Sequence, residues 1–149
     1  MRNFQRTILK EGKLSGVGLH TGKIANVKFI PAVINHGIKF QRIDLNDSPI
    51  IEANVDYVTS VERGTTISKN NVNISTVEHL LAAIVGLQID NILIQIDSEE
   101  VPILDGSSVE FIKCLEKCEF KDQDAARNYI EISEKILYKD EKNNVEIEA

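Results

Sequence analysis

The sequence has no run of about twenty apolar residues, the length that a membrane-spanning helix needs. Residues 1–6 also lack the apolar stretch of a secretory signal. Basic residues are not in excess either, and the net charge of −6 argues against a nucleic-acid partner held through phosphate contacts. Aromatic residues make up 5% of the chain and hydrophobic residues 42%, which is typical of a globular protein with an aliphatic core.

Cysteine is also scarce. The two cysteines, Cys114 and Cys118, are one helical turn apart and share a helix face with Phe111 and Leu115. This spacing would suit two metal ligands, but no histidine or third cysteine accompanies them. We therefore expect buried, reduced thiols and a cytoplasmic location.

Alternating apolar residues and turn residues predict mainly β structure before residue 75. The candidate strands are residues 6–19, 23–30, 37–42, 50–58, 61–67 and 72–74. His20-Thr21-Gly22 is expected to form a hairpin turn between the first two strands, and Pro31 to end the second.

Two helices are predicted, at residues 76–87 and 107–118, and the most apolar strand, residues 91–97, lies between them. Ser107 and Glu110 are spaced as a capping box at the start of the second helix, and Asp105 belongs to the turn before it. The fold class expected is α+β, a two-layer sandwich in which two helices pack on a mixed β-sheet.

The last part of the chain predicts a change of organisation. Residues 119–128 are polar and are interpreted as a linker, whereas 129–132, 135–138 and 145–148 are typical of strands. An isolated hairpin is marginal in water. We therefore expect an N-terminal domain over 1–118, a linker over 119–128 and the truncated start of a second, similar domain over 129–149.

The first helix begins with an acid and an imidazole side by side, Glu78 and His79, three residues after Ser75. One interpretation is structural: Ser75 and Glu78 form a capping box, and His79 is an ordinary hydrogen-bonded residue. The other is chemical, because the partial positive charge of a helix N-terminus favours an ionised carboxylate beside a neutral imidazole. These are the states that metal-assisted hydrolysis requires.

The faces of this helix differ in character. At about 100° per residue, one stripe holds the large apolar residues Val77, Leu80, Leu81 and Ile84, with Val85 and Leu87 at its edges. The opposite side consists of Glu78, His79, Ala82, Ala83 and Gly86. Apart from Glu78 and His79, its residues are small and uncharged. We expect a second domain or a ligand to cover it.

A catalytic zinc site usually takes three protein ligands, and the chain has three histidines: His20, His36 and His79. His36 is expected to be a loop residue. His20 lies in a glycine-rich segment that either allows close approach of a ligand or simply needs glycine for a tight turn. With no Ser-His-Asp, Cys-His or phosphate-loop pattern, the residues alone offer an incomplete metal site.

Four stretches nevertheless occur together and in order over nearly the whole chain. They are Gly16-Val17-Gly18-Leu19-His20-Thr21-Gly22, Ile74-Ser75-Thr76-Val77-Glu78-His79-Leu80, Gly86-Leu87-Gln88-Ile89-Asp90-Asn91 and Val101-Pro102-Ile103-Leu104-Asp105-Gly106-Ser107. As a set they resemble the N-terminal half of UDP-3-O-acyl-N-acetylglucosamine deacetylases, the zinc amidases of lipid A synthesis in Gram-negative bacteria. The resemblance implies two similar domains, each related to the second domain of ribosomal protein S5, that face each other across the active site.

The resemblance also implies roles for residues. His79 would be a zinc ligand and Glu78 the general base that takes a proton from the attacking water, while His20, Thr65 and Thr66 would contact the substrate, a nucleotide-sugar lipid precursor. The remaining zinc ligands and the histidine that protonates the leaving amine would belong to the second domain. Because the substrate of these enzymes is lipid-like, the resemblance also implies that the protein acts close to the inner membrane.

Because that second domain is missing here, we expect this chain alone to be inactive. The alternative is a free-standing S5-like domain that binds a partner through the face from Ala82 to Gly86 without catalysis.

Overall fold

The computed structural model describes residues 3–149. Its strands are, in chain order, β1 (Phe4–Ile8), β2 (Gly12–Val17), β3 (Ile24–Pro31), β4 (Ile38–Arg42), β5 (Ile50–Glu52), β6 (Val58–Ser60), β7 (Thr66–Lys69), β8 (Val72–Ile74), β9 (Ile92–Ile96), β10 (Phe120–Ala126), β11 (Leu137–Asp140) and β12 (Val145–Glu148). The helices are α1 (Glu78–Gly86) and α2 (Val109–Lys117). Neither helix in residues 3–149 has the length and apolar character to cross a membrane.

The main sheet has five strands in the order β2-β3-β9-β4-β5. β4 runs parallel to β9, and the other neighbours are antiparallel, so the sheet is mixed. Smaller sheets pair β1 with β10, β11 with β12, and β7 with both β6 and β8. The hairpin between β2 and β3 turns at His20-Thr21-Gly22, as predicted, and Pro31 is the last residue of β3.

The core lies between this sheet and the two helices. Alternate residues of the central strand β9, Ile92, Ile94 and Ile96, are fully buried, and they belong to the same cluster as Leu80 of α1 and Phe111 of α2. Burial of this apolar surface is the main force that holds the helices on the sheet. The predicted α+β class is confirmed, and the likeness to S5 stays a prediction.

The first predicted strand, residues 6–19, is in fact two strands. The chain changes partners at its middle: the amides of Leu9 and Lys10 bond to the carbonyls of Glu119 and Cys118, and the next residues then pair with β3. The predicted strand over 50–58 is likewise interrupted, by a short 3₁₀ turn over Val55–Tyr57.

Residues 119–128, expected to be a linker, contain β10. This seven-residue strand pairs with β1, and Gln123 on it donates to the carbonyl of Ala32 and accepts from Asn91, both at 2.8–2.9 Å. A polar strand at a sheet edge has the same kind of composition as a linker. For this reason the linker expected over 119–128 was wrong for residues 120–126, which form β10. The division into domains stays a prediction.

The predicted hairpin near the end of the chain is confirmed by the pairing of β11 with β12. The strand predicted over 129–132 does not form. Apolar side chains of the hairpin remain exposed, including Leu137 and Ile147.

Candidate functional site

Helix α1 begins at Glu78, two residues later than predicted, and its N-cap is Val77, which makes no side-chain capping bond. Ser75 is not a cap because its backbone pairs with the segment after β9. The Ser75 amide donates to Glu99 O at 2.9 Å, and Val101 N donates to Ser75 O at 3.0 Å. The predicted capping box between Ser75 and Glu78 is therefore wrong.

Glu78 instead binds the segment before β7. Its Oε2 accepts from the Thr65 amide at 3.0 Å, while the Val77 amide donates to the Thr65 carbonyl at 3.4 Å. The carboxylate is half-buried in the first turn of α1, where the helix dipole favours a negative charge.

His79 follows on the same turn and is also half-buried. Within residues 3–149 its imidazole makes no hydrogen bond, and both ring nitrogens are therefore open to another partner.

His20 reaches the same region from the hairpin turn. Its Nε2 lies 3.1 Å from the carbonyl of Arg63, and because a carbonyl only accepts, Nε2 carries the hydrogen. A methyl group added at Gly64 would lie 3.5 Å from Glu78 Oε1, 3.6 Å from Thr76 Oγ1 and 3.7 Å from His20 Nε2. Three polar side chains, two from the start of α1 and one from the His20 turn, thus converge on one glycine, where there is room for a small group.

The other predicted site residues lie as follows. Thr65 is at the site through its backbone, whereas Thr66 is the first residue of β7, opposite Ser60. Within residues 3–149, no hydrogen bond joins Thr66 to Glu78, His79 or His20. His36 is a loop residue, as expected, and burial together with the nearby charge of Lys39 lowers its pKa.

The second capping box is also absent. Helix α2 begins at Val109, whose amide donates to Ser107 Oγ at 3.1 Å, and Glu110 pairs with Lys113 rather than reaching back. Asp105 accepts from the Ser107 amide at 3.0 Å. Its predicted role in the turn is confirmed.

No pattern in the sequence points to Glu100, a carboxylate with 0% exposure. It accepts hydrogen bonds from the backbone of the His20 turn and from the hydroxyl of Thr76. Glu100 lies 80 residues from His20 in sequence, and no local pattern predicts such a contact.

The cysteines are free, as expected: Cys118 is buried and Cys114 half-buried. Burial raises the pKa of both thiols, that of Cys118 to about 11. Neither is placed to act as a nucleophile at neutral pH.

The outer face of α1 differs from the prediction at two residues. Ala83 is fully buried, whereas Val85 is 64% exposed, because the buried stripe is centred on Leu80, Ala83 and Ile84. Ala82 and Gly86 are exposed, as predicted.

Comparison with known proteins decides the family. A family model described as LpxC, UDP-3-O-acyl N-acetylglycosamine deacetylase, matches residues 5–149. The chain belongs to the LpxC family. The four sequence stretches that suggested this resemblance all lie within the matched range.

Curated relatives show how much of an LpxC protein the chain spans. It is 47% identical over 92% of its length to a bifunctional enzyme LpxC/FabZ of Bacteroides thetaiotaomicron, of which it covers 30%. It is 42% identical to the UDP-3-O-acyl-N-acetylglucosamine deacetylases of Ruthia magnifica and Idiomarina loihiensis, covering 43% and 45% of them. The chain thus spans less than half of the length of these relatives.

The donor set in this part of an LpxC protein is limited. No group of three His, Cys, Asp or Glu side chains that could hold a metal ion is found in residues 3–149. In the described part of the chain, Glu78 and His79 therefore do not complete a metal site by themselves.

Proposed function

We propose that the protein containing this chain hydrolyses the N-acetyl group of UDP-3-O-acyl-N-acetylglucosamine to acetate and a free amine, the committed step of lipid A synthesis. One observation carries the proposal. Glu78 and His79 stand together in the first turn of α1, and Glu78 converges with His20 from another element on the space at Gly64. Membership of the LpxC family supports the choice of substrate.

Glu78 would act as the general base. Only its Oε2 is hydrogen-bonded within residues 3–149, to the Thr65 amide, which fixes the carboxylate and leaves Oε1 to take a proton from the attacking water.

His79 fits one ligand position of a catalytic zinc site, because imidazole nitrogen is a usual zinc ligand and no hydrogen bond occupies either ring nitrogen within residues 3–149. Such sites usually take three protein ligands. The other two, and the imidazole that protonates the leaving amine, would come from the part of the relatives that this chain does not span. When bound, zinc would supply Lewis-acid polarisation of the acetamide carbonyl.

His20 and Thr65 would contact the substrate near the reacting group. His20 is exposed, and its Nε2–H bond to Arg63 orients the ring. Thr65 lies against Glu78. Thr66 is proposed only as a more distant contact, since it lies in β7.

The decisive experiment substitutes Glu78 in the full-length protein. Glu78→Gln should lower kcat by about 100-fold or more, the usual contribution of a general base, while zinc stays bound. Glu110→Gln is the matched control, because Glu110 is also an acid in the first turn of a helix but lies on α2. Near-normal turnover in Glu78→Gln would reject the assignment.

His79→Ala should lose both metal and activity, and a full zinc equivalent in that variant would contradict its role as a ligand. This chain by itself should be inactive. The competing function is a binding domain without catalysis, favoured only by the exposed face of Ala82, Val85 and Gly86. Full-length protein that binds a partner but shows no deacetylation would favour it.

A further inference from the structure

Glu100 is a buried acid that has no role in the proposed reaction steps. It is 0% exposed and lies in the segment between β9 and α2. An ionised carboxylate removed from water is very unfavourable unless hydrogen bonds replace its hydration. Its partners therefore indicate what the residue does.

Three of its four donors come from the hairpin turn that carries His20. The amide of His20 donates to Oε1 at 2.9 Å, and the amide and hydroxyl of Thr21 donate to Oε2 at 2.8 and 2.7 Å. These bonds fix the backbone on which the His20 ring is mounted. They do not engage the ring itself, which remains at the site beside Gly64.

The fourth donor is Thr76, which immediately precedes the N-cap of α1. Its hydroxyl donates to Glu100 Oε1 at 3.1 Å. Thr76 has φ of 58°, an unfavourable backbone conformation for a β-branched residue, and so needs support from its surroundings. The backbone at Thr76 sets the direction in which α1 starts, and it therefore sets the position of Glu78 as well.

We propose that Glu100 is a positioning residue that holds the His20 turn against the start of α1, so that His20 and Glu78 are kept at a fixed separation. This inference rests on the proposed function of Glu78. Glu100 with His20, Thr21 and Thr76 is called the Glu100 cluster below.

Two further observations support this role. Gly18 has no space for a side chain, because a Cβ there would overlap the Glu100 carboxylate, so the turn is built around that group. In addition, burial alone would raise the pKa of Glu100, but the bonds from His20, Thr21 and Thr76 outweigh it and lower the pKa below its ordinary value. The acid is held as an anion, the form that accepts all four bonds.

The first test is Glu100→Gln in the full-length protein. The amide keeps the shape but turns an acceptor into a donor facing the donors of His20 and Thr21. Since small misplacement of reacting groups lowers rates strongly, kcat/KM should fall about 10- to 100-fold with zinc content unchanged. The matched control is Asp97→Asn, an acid three residues earlier whose two bonds go to Asn26, away from the site. Its kcat/KM should stay within about twofold of the unsubstituted protein, since it is outside the cluster.

Thr76 provides a test that does not alter a buried charge. Thr76→Val removes the hydroxyl at nearly constant shape and should lower kcat/KM, whereas Thr76→Ser keeps the hydroxyl and should restore most of the loss. If both residues act through one hydrogen bond, adding Thr76→Val to Glu100→Gln should lower the rate by less than about twofold more. Full multiplication of the two effects, or normal activity in Thr76→Val, would overturn the proposal.

Hydrogen exchange measures how firmly the backbone of the turn is held, independently of activity. In Glu100→Gln the peptide over residues 18–22 should exchange faster than in Asp97→Asn. A loss of rate with unchanged exchange there would overturn the positioning role, as would normal activity in Glu100→Gln. Absence of deacetylation in the unsubstituted protein would instead reject the proposed function, while the exchange comparison would still test the contact of Glu100 with the turn.

Discussion

Gly18 is packed too tightly against the Glu100 carboxylate to accept a side chain. A Cβ at this position would overlap Glu100 Oε2 and lie 2.5 Å from Thr21 Oγ1 and 2.9 Å from Glu100 Cδ. Real Cβ contacts do not come so close, so Gly18→Ala must displace the carboxylate or the turn. Gly18 is itself buried, and its amide bonds to the Lys23 carbonyl at 2.9 Å, which prevents the turn from simply moving outward.

Two effects contribute to the loss of stability expected for Gly18→Ala. Overpacking a buried site usually costs about 1–3 kcal/mol. Displacing Glu100 weakens hydrogen bonds to a charged group, each worth about 1.5–3 kcal/mol. Because the two changes partly relieve each other, we expect Gly18→Ala to lower the free energy of unfolding by about 2–4 kcal/mol.

Urea unfolding followed by circular dichroism measures this change. With a slope of about 2 kcal/mol per molar urea, the midpoint should fall by about 1–2 M. Gly86→Ala is the matched control: nothing lies within 4 Å of a Cβ there, and alanine at the end of α1 should be neutral or stabilising by up to about 1 kcal/mol. An unchanged midpoint for Gly18→Ala would show that the turn accepts a side chain at residue 18 without displacing Glu100. A cost that stays the same in a Glu100→Ala background, where the shorter side chain leaves room, would show that the carboxylate is not the cause.

Three further predictions concern packing and protonation. Gly12→Ala should destabilise the chain by about 1–3 kcal/mol in thermal unfolding, because its Cβ would overlap Cys118 Sγ, and Cys118→Ala in the same background should recover part of the loss. The pKa of Cys118 is about 11, against an ordinary 9.0, and this difference lowers its thiolate fraction about 100-fold at pH 8. Iodoacetamide should therefore label Cys118 at least about 100-fold more slowly in the folded chain than in the urea-unfolded chain, as measured by mass spectrometry. The pKa of Glu100 lies below its ordinary 4.5, so its charge stabilises the fold above that pH and this contribution is lost as pH falls through the folded value. The difference in unfolding free energy between the unsubstituted chain and Glu100→Gln should therefore shrink as the pH falls below 4.5, and a difference that does not change on acidification would contradict this.

The elements whose pattern is local could be predicted from the sequence. The strand expected at 91–97 is β9, and the turn at His20-Thr21-Gly22 joins β2 to β3. A buried central strand needs nearly continuous apolar residues, and a tight hairpin needs glycine at a positive φ, as Gly22 shows with 65°. Both requirements are visible within a few residues.

Elements that depend on a distant partner could not be predicted in this way. β10 is polar and became a strand only because β1, more than one hundred residues earlier, offers it a pairing edge, with Ile8 opposite Phe120. The break in the first predicted strand has the same origin, since Leu9 and Lys10 bond to residues next to β10 rather than to β3. Hydrophobic periodicity carries no information about which edge is available.

The absence of a capping box between Ser75 and Glu78 bears on the proposed chemistry. The rule for Ser75 and Glu78 assumes that the backbone of Ser75 is free to start a helix, but it forms a parallel bridge with Glu100. That bridge places Glu100 beside Thr76, and it moves the start of α1 to Glu78. The structural explanation that competed with catalysis, a bond from Glu78 back to Ser75, is thereby removed. Glu78 is held instead by the amide of Thr65, next to Gly64, the glycine on which Glu78, Thr76 and His20 converge.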